Sequence, residues 1–116
     1  MSLEDKRVEI ANALGAVPNV IGYAYRPEIL IEGAGWPILA RPAARHMSGD
    51  AYLVTWLVRV VTPSDEVAAT RWWDTRWPFV YEALRHVGFI EGFDPVLLDA
   101  GGSTVFAFEI VLRTEE

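Results

Sequence analysis

The sequence predicts an α+β fold, with two helices packed on one face of an antiparallel or mixed sheet and the element order α-β-β-β-α-β-β. Two observations support this class. The stretch Tyr52–Val61 alternates between a fully apolar face and a mixed face, which is typical of a strand that borders a core. After it, apolar residues recur first at helical spacing and then at strand spacing. The 116 residues, 1–116, are expected to form a single domain.

The chain before the central strand is predicted to form one helix and two strands. The helix is expected over residues 3–14, because Ser2 with an acid three residues later resembles a capping box and Gly15 can end the helix. Strands are expected at residues 20–25 and 36–41, and a proline inside the second favours an edge position.

Residues 42–50 are predicted to form a loop before the central strand. This loop holds Arg45 and His46, with Arg41 at its base. Loops of this length in compact domains are often functional, so these three residues are a candidate contact site. His46 with Asp50 has the residue types of an acid–base pair or half of a metal site, but without a third ligand a solvated loop is the favoured interpretation.

The second helix is the longest predicted element, with Ser64 or Asp65 as its cap and Gly88 at its end. Proline at position 78 predicts a kink or a break near Trp77. One stripe of this helix is expected to lie across the apolar face of the sheet, and it consists of Trp73, Trp77, Val80, Leu84 and Val87. A second stripe is expected to point away from the sheet, and it consists of Trp72, Arg76, Phe79, Ala83 and His86.

The C-terminal part is predicted to form a hairpin. Strands are expected at residues 96–99 and 104–113, joined by a turn at Gly101 and Gly102. The last strand alternates like the central one. The second faces of these two strands mix apolar side chains with Thr55, Arg59, Glu109 and Arg113.

Composition and charge disfavour several function classes. The net charge is −6, so non-specific nucleic-acid binding and a polybasic membrane contact are both disfavoured. No apolar run approaches the length of about 20 residues that a membrane-spanning helix needs. The chain has no cysteine, which excludes disulfides, thiolate metal sites and cysteine nucleophiles.

The usual signatures of an enzyme are missing. There is no glycine-rich phosphate loop after a strand and no zinc-binding HExxH motif. Glu82 and His86 lie four residues apart on the second helix, a spacing typical of an ordinary surface pair. The sequence therefore predicts a protein that is not an enzyme and that has no cofactor or metal site.

The aromatic residues favour a protein–protein interface. Five Trp, five Phe and four Tyr are many for a domain of this size. Trp72, Arg76 and Phe79 are residue types enriched at binding hot spots, and the mixed faces with Arg59 and Arg113 are what a ring-forming subunit presents to its neighbour. In the alternative interpretation, Trp72 and Phe79 pack under loops of their own chain and the mixed faces are solvated.

Four stretches resemble phage tail terminator proteins of long-tailed phages, and together they span nearly the whole chain. They are KRVEIANALGAVPNVIGYAYRP, YLVTWLVRVVTPSD, FVYEALRHV and LLDAGGSTVFAFEIVLR. The tryptophan-rich part of the second helix and its proline depart from the family pattern.

The resemblance implies a structural virion protein at the head-proximal end of the tail, made in the host cytoplasm. Such proteins form a ring, typically a hexamer, that sits on the last ring of the major tail tube protein and ends tube polymerisation. The ring also offers a surface to the head-side connector, or stopper, protein. DNA passes through its lumen without specific binding, which agrees with the acidic charge. The loop with Arg41, Arg45 and His46 is then expected to contact the tube or the connector.

Two alternatives remain open from the sequence. One is another component of the head–tail neck, such as a head-closure or adaptor protein. The other is a small ligand-binding domain or enzyme, in which Trp36, Trp56 or Trp77 would converge around a cavity with a few polar groups.

Overall fold

The structure is a computed structural model that describes residues 2–40, 45–46 and 52–115. It confirms the predicted α+β class and helix–strand order, and it adds one two-residue strand, β3, inside the predicted loop 42–50. The elements in chain order are α1 (Leu3–Gly15), β1 (Ile21–Gly22), β2 (Ala34–Leu39), β3 (Arg45–His46), β4 (Tyr52–Val61), α2 (Glu66–Leu84), β5 (Phe89–Ala100) and β6 (Ser103–Glu115).

The strands form one mixed sheet in the order β1-β2-β4-β6-β5, with β3 paired to β4. β1 and β2 are parallel, and the other pairs are antiparallel. At Leu53, β6 already occupies one side of β4, so β3 must lie on the other side, which is the side of β2. The sheet therefore ends at β5 on one edge and at β1, β2 and β3 on the opposite edge.

Both helices pack on the same face of the sheet, as predicted. α1 begins with the expected capping box, in which the Asp5 backbone N–H donates to Ser2 Oγ at 3.0 Å. α2 is a continuous helix through Pro78, so a break, one of the two outcomes predicted near Trp77, does not occur. The main core between helices and sheet includes Ile10 and Leu14 of α1, Trp73, Val80 and Leu84 of α2, and Val54, Trp56, Val58, Val60, Ile110 and Leu112 of the sheet.

The opposite face of the sheet has a second, smaller core. Buried Trp36 lies there with Val61, Leu98 and Ala107. Tyr23 and Leu30, from the segment between β1 and β2, pack against this cluster. This face is therefore covered in part by the chain's own segment, and the mixed positions farther along β4 and β6 remain half-exposed.

Two strands differ most in length from their predictions, and β6 is extended slightly at both ends, to Ser103–Glu115. β1 is shorter than the predicted strand 20–25, because the chain leaves the sheet after the Tyr23 N–H donates to the Gly35 carbonyl. β5 is longer than the predicted strand 96–99, because pairing with β6 extends it back to Phe89 across an irregularity between Ile90 and Gly92. The predicted turn is present, with positive φ angles at both of its glycines.

Candidate interaction surface

The second predicted stripe on α2, the one with Trp72, Arg76 and Phe79, is buried in one part and exposed in another. Trp72 is only 8% exposed and belongs to the main core, so the prediction that this stripe points away from the core is wrong for Trp72. α1 packs beside α2 on the same face and supplies Ile10 and Leu14 to the same core cluster. Phe79, farther along the stripe, is 54% exposed and leaves a large apolar surface free.

Arg76 is held by contacts within its own subunit. Its guanidinium lies 4.2 Å from the centre of the Trp72 ring, and its Nη2 donates to Asn19 Oδ1 at 3.1 Å. Asn19 adopts a left-handed φ of 64°, a conformation that asparagine tolerates better than most residues, and this presents its amide to α2. Of the three predicted hot-spot residues, Phe79 therefore offers most of the accessible area.

The arginines predicted on the mixed face are engaged in ion pairs within the subunit. Arg59 Nε lies 2.9 Å from Glu109 Oε2, its direct cross-strand neighbour on β6. Arg113 pairs with Glu91. Arg113 also borders an open depression of about 490 Å³, next to Val87 and exposed Phe89.

The predicted contact loop lies largely outside the described residues, and Arg41 is among those not described. The structure places the backbone of Arg45 opposite Leu53 and that of His46 opposite Tyr52. These two residues therefore stand at the outer edge of the sheet, beyond the end of β2.

An aromatic cluster beside β5 was not predicted as a surface. The Trp73 ring stacks on Phe108 with 4.6 Å between ring centres, and Trp77 lies 4.5 Å from Phe93. Tyr81 packs its ring edgewise on Trp77 and is 46% exposed. The predicted core stripe on α2 thus continues outward into an exposed aromatic surface. The sequence signal that points to it is the alternation of Phe93 and Leu97 on one face of β5.

The outer edge of β5, which we call the open edge, pairs with no strand among the described residues. It is 12 residues long and carries three acids and no lysine or arginine. Glu91 pairs with Arg113, whereas Asp94 and Asp99 are exposed. Next to them, Phe93 and Leu97 present apolar side chains that are 38% and 63% exposed. The open edge and the aromatic cluster therefore form one continuous surface.

The opposite edge at β2, which we call the closed edge, is protected by α1. Pro37 lies in β2 beyond the end of β1 and has no backbone N–H to offer another strand. Arg7 of α1 donates through Nη1 to the carbonyls of Pro37 and Ala24, both at 3.0 Å. Its guanidinium also lies 4.3 Å from the centre of the Tyr25 ring.

The exposed side of α2 contains a small charged network near its C-terminal end. Arg85 Nε donates to Glu82 Oε2 at 2.7 Å, and His86 Nε2 lies 3.3 Å from Glu82 Oε1. These hydrogen bonds, the one from Arg85 first, lower the pKa of the Glu82 carboxyl. The predicted pair of Glu82 and His86 is thus a surface contact that Arg85 joins.

The three tryptophans proposed to line a ligand pocket do not converge. Trp36 lies in the smaller core on the helix-free face, whereas Trp56 and Trp77 pack with the main core on the other face. Trp56 is fully buried and donates through Nε1 to Thr114 Oγ1 at 2.9 Å. The sheet itself separates Trp36 from the other two, so a shared cavity is excluded.

No protein family model matches the chain, and no curated protein sequence is significantly similar to it. Within residues 2–40, 45–46 and 52–115, no group of three or more acidic, histidine or cysteine side chains is placed to hold a metal ion. Neither described helix has the length and apolar character needed to cross a membrane.

Proposed function

We propose that this chain is a structural phage protein that assembles into a ring on the head-proximal end of the tail tube. The ring is a hexamer. It ends polymerisation of the major tail tube protein and offers a surface to the head-side connector. DNA passes through its lumen. The resemblance to tail terminator proteins supports this function, and the confirmed order of helices and strands agrees with it.

The observation that carries the proposal is the continuous surface formed by the open edge and the aromatic cluster. A 12-residue edge strand that exposes its own Phe93 and Leu97 is a surface that soluble monomers usually avoid. Phe79 on α2 adds a further exposed apolar side chain. Assembly with other subunits gives these groups partners, and the mechanism is geometric and not chemical.

The test is to measure the mass of the purified chain by light scattering, alone and after mixing with purified tail tube protein of the cognate phage, and to image tube ends by electron microscopy. We expect a closed ring, alone or on tube ends, and shorter tubes when the chain is added during polymerisation. A chain that stays monomeric and leaves tube length unchanged would contradict the proposal. A ring that binds the connector and ignores tube ends would instead identify another neck component.

A variant tests the predicted contact at Phe79. Phe79→Ala should weaken ring formation by about tenfold if the side chain is a hot spot, while the folded subunit changes little because this residue is exposed. Val67→Ala, also exposed on α2, serves as the matched control. Equal ring formation by the Phe79→Ala variant would remove Phe79 from the interface.

A further inference from the structure

We infer that neighbouring subunits join through opposite edges of their sheets, with the acidic open edge of β5 in one copy against the basic strand β3 of the next. This inference rests on the proposed ring-forming function and identifies the contact that would build the ring. The occupant of the open edge is therefore a second copy of this chain.

The open edge is acidic. Asp94 lies directly opposite Glu109 on β6, and Glu109 is already paired with Arg59. Asp94 is exposed and has no cationic partner among the described residues. Like charges at directly opposed strand positions are unfavourable, so a cation from outside would relieve this repulsion. Two copies of β5 paired with each other would instead bring their acids together.

The opposite side of the sheet carries basic residue types in β3. β3 consists of Arg45 and His46, and no Asp or Glu occurs in the sequence between Glu32 and Asp50. Arg7 and Pro37 block the closed edge next to β3, and β3 itself pairs with β4 alone among the described strands. The chain therefore carries an acidic edge on one side of its sheet and a basic one on the other.

The strand directions are compatible with this pairing. β5 is antiparallel to β6, which is antiparallel to β4, so β5 runs parallel to β4. β3 runs antiparallel to β4. A rotation about an axis parallel to the strands does not change their directions. A neighbour related by such a rotation would thus present its β3 antiparallel to β5 of the first copy, and backbone hydrogen bonds form readily between antiparallel strands. Contacts between different surfaces of identical subunits generate rings when the rotation closes.

The test uses the absence of cysteine from the natural chain. Arg45→Cys and Asp94→Cys variants are mixed under mild oxidation, and disulfide-linked dimers are counted on non-reducing gels. A disulfide needs the two Cα atoms within about 7 Å, so a linked dimer reports a direct contact. Arg45→Cys mixed with Asn12→Cys is the control, because Asn12 is exposed on α1, which packs on β1 and β2 at the opposite edge from β5. We expect linked dimers in the first mixture only.

Charge reversal provides a second measurement. Asp94→Arg should weaken self-association about tenfold, and so should Arg45→Glu, while the double variant should regain most of the loss. The Asp94→Arg subunit should stay folded, because the new side chain would lie opposite Glu109. Circular dichroism and the thermal midpoint check this point.

The outcomes separate this inference from the proposed function. Rings on tube ends without the 45–94 disulfide would overturn the inference and leave the function standing. Linked dimers and charge rescue without any effect on tubes would support the inference and contradict the function. A chain that forms neither rings nor the disulfide would overturn both.

Discussion

The two edges of the sheet differ in how far the chain itself covers their unpaired backbone groups. At the closed edge, Arg7 donates to the carbonyl of Pro37 where β1 no longer covers β2. At the open edge, the 12 residues of β5 have no strand on their outer side among the described residues. Unpaired strand edges invite pairing with other chains. The closed edge is thus protected by a side chain of the chain's own helix, whereas at the open edge Arg26 donates to the carbonyl of Asp99 near the end of β5 and the rest of the strand is left without a partner strand.

The open edge nevertheless carries features that limit unspecific pairing. A register shift next to Gly92 interrupts the regular strand, and Pro95 has no backbone N–H to donate. Asp94 and Asp99 add negative charge. An edge strand that is long, interrupted and acidic favours pairing with a basic strand over pairing with another copy of β5. We therefore expect charge to select the partner of the open edge and the length of β5 to provide the contact surface.

The largest expected effect concerns the support beneath the open edge. Trp73 is 2% exposed and stacks between α2 and the hairpin of β5 and β6. Trp73→Ala should lower the free energy of unfolding by about 4 kcal/mol, because it removes a large buried ring and leaves a cavity. Urea unfolding followed by circular dichroism measures this loss.

A matched variant separates ring stacking from polarity. The Trp73 Nε1–H is buried and has no hydrogen-bond partner among the described residues. Trp73→Phe keeps an aromatic ring and removes this unsatisfied donor, so it should cost much less than Trp73→Ala. A loss as large as that of the alanine variant would show that the indole shape, and not aromatic contact in general, supports β5.

The next effect concerns the closed edge. Arg7→Met keeps much of the apolar stem but removes the bonds to the Pro37 and Ala24 carbonyls. We expect a loss of about 2 kcal/mol in unfolding free energy, since hydrogen bonds from charged groups are the stronger ones. The same variant should also aggregate more, because it uncovers the edge of β2. Arg71→Met, at an exposed position on α2, is the control and should change neither property.

The elements that the sequence predicted well are those with a repeated local pattern. β4 alternates as expected, with Val54, Trp56, Val58 and Val60 buried on the helix side. The core stripe of α2 was also predicted correctly, because helical spacing is visible in the sequence itself. The start of β5 was missed because Gly92 and Pro95 resemble turn signals, and only pairing with β6 makes a strand of that segment.

The candidate surface was harder to predict, since it depends on which elements become neighbours. The sequence places Trp72 and Phe79 on one stripe, but Trp72 is buried in the core cluster that α1 also joins, whereas Phe79 is exposed. Cross-strand partners likewise decide that Arg59 meets Glu109 and that Asp94 meets no cation. Such differences come from tertiary contacts that no local spacing encodes.

The smallest expected effect is a pH dependence at the closed edge. The Tyr25 hydroxyl donates to Glu4 Oε2 at 2.9 Å, and this hydrogen bond raises the pKa of Tyr25 above its usual value of 10. The stability that this hydrogen bond contributes is therefore fully present below the pKa that Tyr25 has in the unfolded chain. It is lost as the pH rises through the higher pKa of Tyr25 in the folded chain. Tyr25→Phe should remove this dependence. Tyr81→Phe should retain it, because the hydroxyl of Tyr81 has no hydrogen-bond partner among the described residues. Thermal midpoints of the three proteins measured from neutral to strongly alkaline pH test this. If the natural chain and the Tyr25→Phe variant lose stability in parallel as the pH rises, the hydrogen bond from Tyr25 to Glu4 does not stabilise the closed edge.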